Sequence, residues 1–274
     1  MYSRARLTTD FARLGVKPGD TVMLHASIRA VGAVAGGPDE IHLALKDALT
    51  DEGTLMMYAS CPQFYDEVGR GHLTAGLERE ILETLPAFDA QTARSARDNG
   101  ALVELFRTWP GTRVNDHVAR FAVWGRQAQA LIREQPWDLA FGHGSALERL
   151  MELDGRILLL GSDHDAVTFL HYAEHVADFP DKIVKHFKVP ILEGGQRVWR
   201  DMAEVDTGDC AHTHWPDRFF ARIVDTYLAR TGNTGGKIGD AESVILDARG
   251  LLAFARPVME QIAADAGAVE RLLS

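Results

Sequence analysis

Three short apolar runs, residues 21–28 (TVMLHASI), 54–60 (TLMMYAS) and 156–161 (RILLLG), constrain the fold of this chain more than any other feature. Each is too short for a buried helix and too continuously apolar for a strand with one wet face, so each reads as a strand covered on both sides. Segments of helical period flank them. Leu7, Phe11 and Leu14 recur at i, i+4, i+7, and Ile41, Leu45 and Leu49 repeat the spacing with Pro38 near the helix start. A strand, helix, strand alternation favours parallel pairing with helices on the faces of the sheet. The expected class is α/β, with a largely parallel central sheet.

Further along, residues 61–99 form a polar excursion broken by a helix at 75–85, and such long excursions often carry recognition. Helices are expected at 100–110, 126–134 and 145–153, a strand at 120–125, and a helix from about Asp165 to Ala177. Residues 182–192 and 196–206 read as two antiparallel strands joined by EGG, whose glycines suit the positive φ angles of a hairpin. The remainder reads as mainly helical, with Pro257 expected to start, bend or break the last long helix. The economical organisation is one domain, 1–274, carrying a small antiparallel subdomain at 182–207.

With 274 residues, 46% of them hydrophobic, the chain can bury a substantial core. No window approaches the roughly 20 apolar residues that span a bilayer, and the N-terminus lacks an apolar signal core, so a cytoplasmic protein is expected. Its 39 acidic and 29 basic side chains give a formal charge of -10, which repels nucleic acid and anionic membranes and welcomes a cationic small molecule. The two cysteines, Cys61 and Cys210, suggest neither a disulfide framework nor a zinc ribbon.

Chemistry concentrates at residues 161–174 (GSDHDAVTFLHYAE), directly after the third apolar run. Ligands in open α/β sheets bind beyond the carboxyl ends of strands, which is where this stretch must lie. With Asp165 as a helix cap, Thr168, His171 and His175 fall at spacings of three and four, and Glu174 lies three beyond His171. One face then carries a proton acceptor and its partners, as general base catalysis requires. His164 is a candidate assistant, and Asp163 and Asp165 have the simpler reading of helix caps. Zinc on His164, His171 and His175, helped by His212 and His214, is the competing reading; the spacing is not HExxH, and no metal is expected.

Several blocks in order, residues 24–49, 99–125, 142–161 and 163–175, are similar to the aminoglycoside 3-N-acetyltransferases, the antibiotic N-acetyltransferase family, which is distinct in fold from the GNAT acetyltransferases. The resemblance implies transfer of an acetyl group from acetyl-CoA to the 3-amino group of the 2-deoxystreptamine ring of an aminoglycoside, conferring resistance. It makes His171 the base, in a block with Thr168 and Glu174, and adds Glu204 and Asp206 as carboxylates that orient the histidine or hold ammonium groups. The first loop, His25, Ala26, Ser27, Ile28, Arg29, Ala30, Val31 and Gly32, is the implied cradle of pantetheine and phosphates, with His117 and Ser145 as further cofactor positions. The sequence departs from the family pattern at Ala26, Val118 and Ala146. Asp66, Glu67, Asp163, Glu204 and Asp206 are the carboxylates available to a polycationic acceptor. Arg29 and Lys17 are candidate phosphate partners, and a homodimer is left open.

Two other classes compete: an acyltransferase or hydrolase whose nucleophile is Cys61, and a non-catalytic protein that sequesters CoA or a cationic metabolite.

Overall fold

The computed structural model describes residues 1–179, 182–205 and 215–273. Its strands are β1 (Thr21–Ala26), β2 (Thr54–Tyr58), β3 (Arg113–Val114), β4 (Phe121–Gly125), β5 (Arg156–Leu160), β6 (Val184–Glu193), β7 (Gln196–Val205), β8 (Gly236–Ile238) and β9 (Ala241–Asp247). Seven of them form one sheet in the order β3-β4-β2-β1-β5-β9-β8, and β6 and β7 form a separate ribbon. The three apolar runs are the central strands, and β1 pairs in parallel with both β2 and β5. The outer strands β3, β4, β8 and β9 run antiparallel to their neighbours.

Side chains of the central strands alternate between two cores. Met23, Met56, Ile157 and Leu159 enter one, while Val22, Leu24, Leu55, Met57, Leu158 and Leu160 enter the other. Each such buried side chain contributes roughly 1.5–3 kcal/mol against leaving it in water, which is why neither face tolerates a charge. The helices Arg4–Leu14, Asp39–Leu49 and Ala101–Arg107 cover the second core. Ala146–Glu152, Phe169–Val176, Phe219–Thr231 and Ala248–Ala264 cover the first. Local chemistry sets the ends of the first helix: the Ser3 hydroxyl accepts from the Arg6 N–H at 3.3 Å, and Gly15 closes it at φ 106°.

The expected hairpin is observed. Glu193 pairs with Gln196, and Gly194 and Gly195 make the two-residue turn at φ 57° and 79°. This ribbon packs on the excursion after β2: the Lys188 N–H donates to Val68 O at 2.8 Å, and Phe88, Val118, Phe187 and Met202 share a small third core. Arg120, fully buried, pins the excursion through bonds to the carbonyls of Ala90, Ala93 and Arg94.

Three expectations need correction. The segment after the Phe219–Thr231 helix is not all helical, because residues 236–238 and 241–247 form β8 and β9, and β9 adds to β5. The helix after β5 begins at Phe169 rather than Asp165. Asp163 caps only a short turn of 3₁₀ helix, His164–Ala166, while the Asp165 carboxylate accepts from the Ala221 N–H of a different helix. Pro257 lies inside Ala248–Ala264 and so neither starts nor breaks that helix. Among the described residues no helix is long and apolar enough to cross a membrane.

Candidate active site

The parallel strands β1, β2 and β5 end on one edge of the sheet, at His25 and Ala26, at Tyr58 and at Leu160. A cleft of about 800 Å³ opens there. Ser27 and the first residues of the short helix Ile28–Val31, Ile28 and Arg29, line it together with Arg97 and Asn99, whereas Ala30, Val31 and Gly32 of the expected cradle do not. The amides that open the short helix have no carbonyl within it to bond to. Gly161 lets this loop approach β5. Its φ is 59°, and a Cβ placed on it falls 2.4 Å from that of Ala30 and 3.0 Å from that of Ala241. Ser27 N–H then donates to Leu160 O at 2.9 Å, fixing the loop at the strand end.

Thr168 lines the cleft, and one turn on is His171. The His171 ring is 28% exposed, held between Phe141 (centroids 5.4 Å apart) and Phe220 (5.0 Å). Its Nδ1 lies 2.7 Å from Oε2 of Glu174, a carboxylate only 1% exposed, while Nε2 makes no hydrogen bond to a described residue. Burial raises the Glu174 carboxyl above its ordinary range, and the adjoining His171 opposes that rise. With Glu174 ionised, Nδ1 carries the proton and Nε2 presents a lone pair, the tautomer a proton acceptor needs.

His25 stands beside His171 at the cleft floor. Burial, with a smaller contribution from a charge on His171, lowers its pKa to about 4, and its Nε2 is buried without a partner. It is a neutral ring with an unused polar atom next to the cleft. Tyr58 lines both this cleft and a smaller adjoining pocket with Asp66, Phe141 and Glu204. Partial enclosure raises the Asp66 carboxyl, with Arg70 at 3.8 Å acting against that rise.

Other sequence-predicted residues are placed elsewhere. Glu204 does not orient His171; it bonds His175 through Oε1, and its Oε2 accepts from Ala140 N–H at 2.8 Å. Asp206 lies outside the described residues, as do His212 and His214. His164 turns to Asp225 at 2.6 Å rather than to His171. Asp163 is at the cleft rim but paired with Arg218 at 2.5 Å, and Glu67 faces His72 at 3.5 Å. His117 is buried against Trp137, with Nδ1 accepting from Ala119 N–H, and does not line the cleft. Ser145 is fully buried and caps Ala146–Glu152 through the Glu148 N–H. Lys17 precedes β1 at the end of the sheet away from the cleft. Cys61 is buried in the third core, where desolvation pushes its thiol well above the usual range, with nearby Asp66 adding to the rise; a thiolate nucleophile is disfavoured there. Among the described residues no three His, Cys, Asp or Glu side chains group as metal ligands.

Sequence reasoning did not single out Tyr58, Phe141, Phe220 or Arg97. Tyr58 carried a signal, as a polar-tipped aromatic near the carboxyl end of the apolar run 54–60; the other three lie on segments whose meeting point no local pattern encodes.

An imidazole backed by a buried carboxylate, next to two residues, His25 and Thr168, that line a large cleft at the carboxyl edge of an α/β sheet, defines the class: a site for proton-assisted acyl or group transfer. Comparison with known proteins narrows this. The aminoglycoside 3-N-acetyltransferase family model matches residues 23–260, and the chain belongs to that family. It is 41% identical over 259 residues to aminoglycoside N(3)-acetyltransferase III of Pseudomonas aeruginosa, covering 93% of this chain and 92% of that one. The structure of AAC-IIIb in binary complex with CoASH superposes with a TM-score of 0.87 at 37% identity, over 95% of this chain and 97% of that one. AAC-VIa bound to sisomicin gives a TM-score of 0.87 at 34% identity, over 95% and 98%.

Proposed function

We infer that this chain is an acetyl-CoA-dependent acetyltransferase, acting as one catalytic domain, that modifies the 3-amino group of the 2-deoxystreptamine ring of aminoglycosides and so confers resistance to them. The observation that carries the reading is the His171 Nδ1 to Glu174 Oε2 contact of 2.7 Å, one turn beyond Thr168 and next to His25, both of which line the large cleft although His171 itself does not. Family membership and the resemblance to a CoASH complex and a sisomicin complex support the two ligands.

An aminoglycoside amine is mostly an ammonium at neutral pH and has no lone pair for attack. The ammonium first gives its extra proton to solvent; as the neutral amine attacks the thioester carbonyl, Nε2 of His171 accepts the second proton that the nitrogen sheds, and Glu174 stabilises the imidazolium that forms. The carbonyl oxygen gains negative charge. The Thr168 hydroxyl and the amides of Ile28 and Arg29 are the donors available beside the cleft, and one such donor is worth roughly 3 kcal/mol of barrier. Collapse of the tetrahedral adduct breaks the carbon–sulfur bond, and the imidazolium returns its proton to the departing thiolate. The products are the amide and free CoA.

The cleft suits the donor. Arg29 and Arg97 line it and match phosphates, and the unpartnered Nε2 of His25 lies at its floor. Asp66 and Glu204 line a small pocket of about 30 Å³ that shares Tyr58 with the cleft, room for one ammonium group of the acceptor. The test is incubation with acetyl-CoA and a panel of aminoglycosides, following free thiol release. Stoichiometric thiol and a product heavier by one acetyl group support the reading; ligand protection without thiol release favours a CoA-binding protein and overturns it.

A further inference from the structure

His175 lies one turn beyond His171 on the same helix, and its side chain is 2% exposed. Its Nδ1 is 2.6 Å from the backbone carbonyl of His171, and its Nε2 bonds Oε1 of Glu204, itself 8% exposed, on the ribbon strand β7. A carbonyl only accepts, so Nδ1 carries a proton, and Nε2 and Oε1 hold one further proton between them. Each Glu204 oxygen is partnered: Oε1 also accepts from Val205 N–H at 3.1 Å, and Oε2 accepts from Ala140 N–H and keeps one lone pair for a further donor. The bond to Ala140 fixes the loop that presents Phe141 to the His171 ring. Leu139 N–H donates to Ala203 O at 2.7 Å, and the His175 ring packs on Phe141 and beneath Gly142. The contacts close a circuit: His171 main chain, His175, Glu204, Ala140, Phe141, His171 ring.

We propose that His175 is a positioning residue that couples the ribbon carboxylate of the acceptor pocket to the helix carrying His171, so that acceptor anchoring and base alignment are set together. This rests on the acetyl-transfer reading above. Its physical basis is that a buried carboxylate has a fixed direction only while each oxygen is partnered, and Glu204 lines the pocket that also holds Asp66. No other described side chain joins that ribbon to the base-bearing helix at Glu204.

Two isosteres separate the two bonds. In His175→Asn the amide nitrogen sits where Nδ1 was, keeping the bond to His171 and losing Glu204. In His175→Gln it sits where Nε2 was, keeping Glu204. The inference expects KM for the aminoglycoside to rise about tenfold in His175→Asn and about threefold or less in His175→Gln, the cost of one charge-assisted buried bond. The dissociation constant for CoA should stay within about twofold in both. Aminoglycoside affinity by calorimetry, without turnover, should follow the same order. In the wild-type protein, NMR should find a strongly deshielded imidazole proton at His175 that is lost in Glu204→Gln. Equal acceptor KM in wild type and both variants, or equal loss in both with matching loss of CoA affinity, overturns the coupling while leaving acetyl transfer intact. A wild-type protein that neither binds nor acetylates any aminoglycoside overturns both readings.

Discussion

His171 Nδ1 and Glu174 Oε2 are 2.7 Å apart, with the carboxylate sealed inside the protein and the imidazole partly exposed one turn beyond the cleft-lining Thr168. A buried carboxylate of this kind selects the ring tautomer and stabilises the imidazolium. Glu174→Gln preserves size but no longer enforces the tautomer. It should lower kcat by roughly 10²-fold or more while CoA affinity stays within about twofold. Single-turnover acetylation alongside calorimetric CoA titration measures both.

Gly161 is where the first loop meets β5. An alanine there is strained at φ 59° and drives its methyl into Ala30. Gly161→Ala should weaken CoA binding about tenfold and cost about 1–2 kcal/mol of stability. A direct CoA titration with a denaturant melt reads the two effects.

Cys61 packs among Tyr65, Phe88 and Val118 rather than at the cleft. Cys61→Ala should leave kcat within about twofold and cost about 1 kcal/mol of stability. The protein should also withstand thiol-alkylating reagents under native conditions. Loss of turnover in the variant, or ping-pong kinetics in the wild type, contradicts this.

Acid stability follows from the buried histidines. Burial lowers His117 to about 3 and, with Lys46 nearby, His42 to about 4; both side chains are sealed from solvent. Each is neutral when folded, while an unfolded histidine protonates near 6.5. The unfolded state therefore binds more protons between about pH 6.5 and 3 to 4. The stabilisation is complete above about 6.5 and is lost as pH falls through that window. Each tenfold rise in proton concentration that a ring resists is worth about 1.4 kcal/mol, so denaturant stability should fall by several kcal/mol between pH 7 and pH 4. His117→Asn should flatten the slope; an unchanged slope in that variant contradicts the assignment.

The central sheet was legible because strands buried on both faces run apolar without alternation through their middles, as in 22–24, 55–57 and 157–160. The ribbon turn was legible because two adjacent glycines serve one hairpin geometry. Strands β8 and β9 were not: β8 is only three residues long, and the Val244–Leu246 run of β9, set between Glu242 and Asp247, gains its pairing from β5 beside it. His171, Thr168 and Glu174 were readable from one helix face. The partner of Glu204 was not, because the pairing with His175 joins a ribbon to a helix across 29 positions of sequence. His117 and Ser145 show the converse: matching a family block by position did not bring them to the cleft, since packing and helix capping occupy both.

The chemistry turns on proton acceptance by the ring of His171, and one measurement addresses it most directly: the single-turnover acetylation rate of His171→Ala, with CoA affinity determined on the same protein. The account predicts a rate lower by about 10³-fold, within the range for losing a positioned base, with CoA bound as tightly as by the wild type within about twofold. A variant that acetylates at a rate near wild type contradicts it.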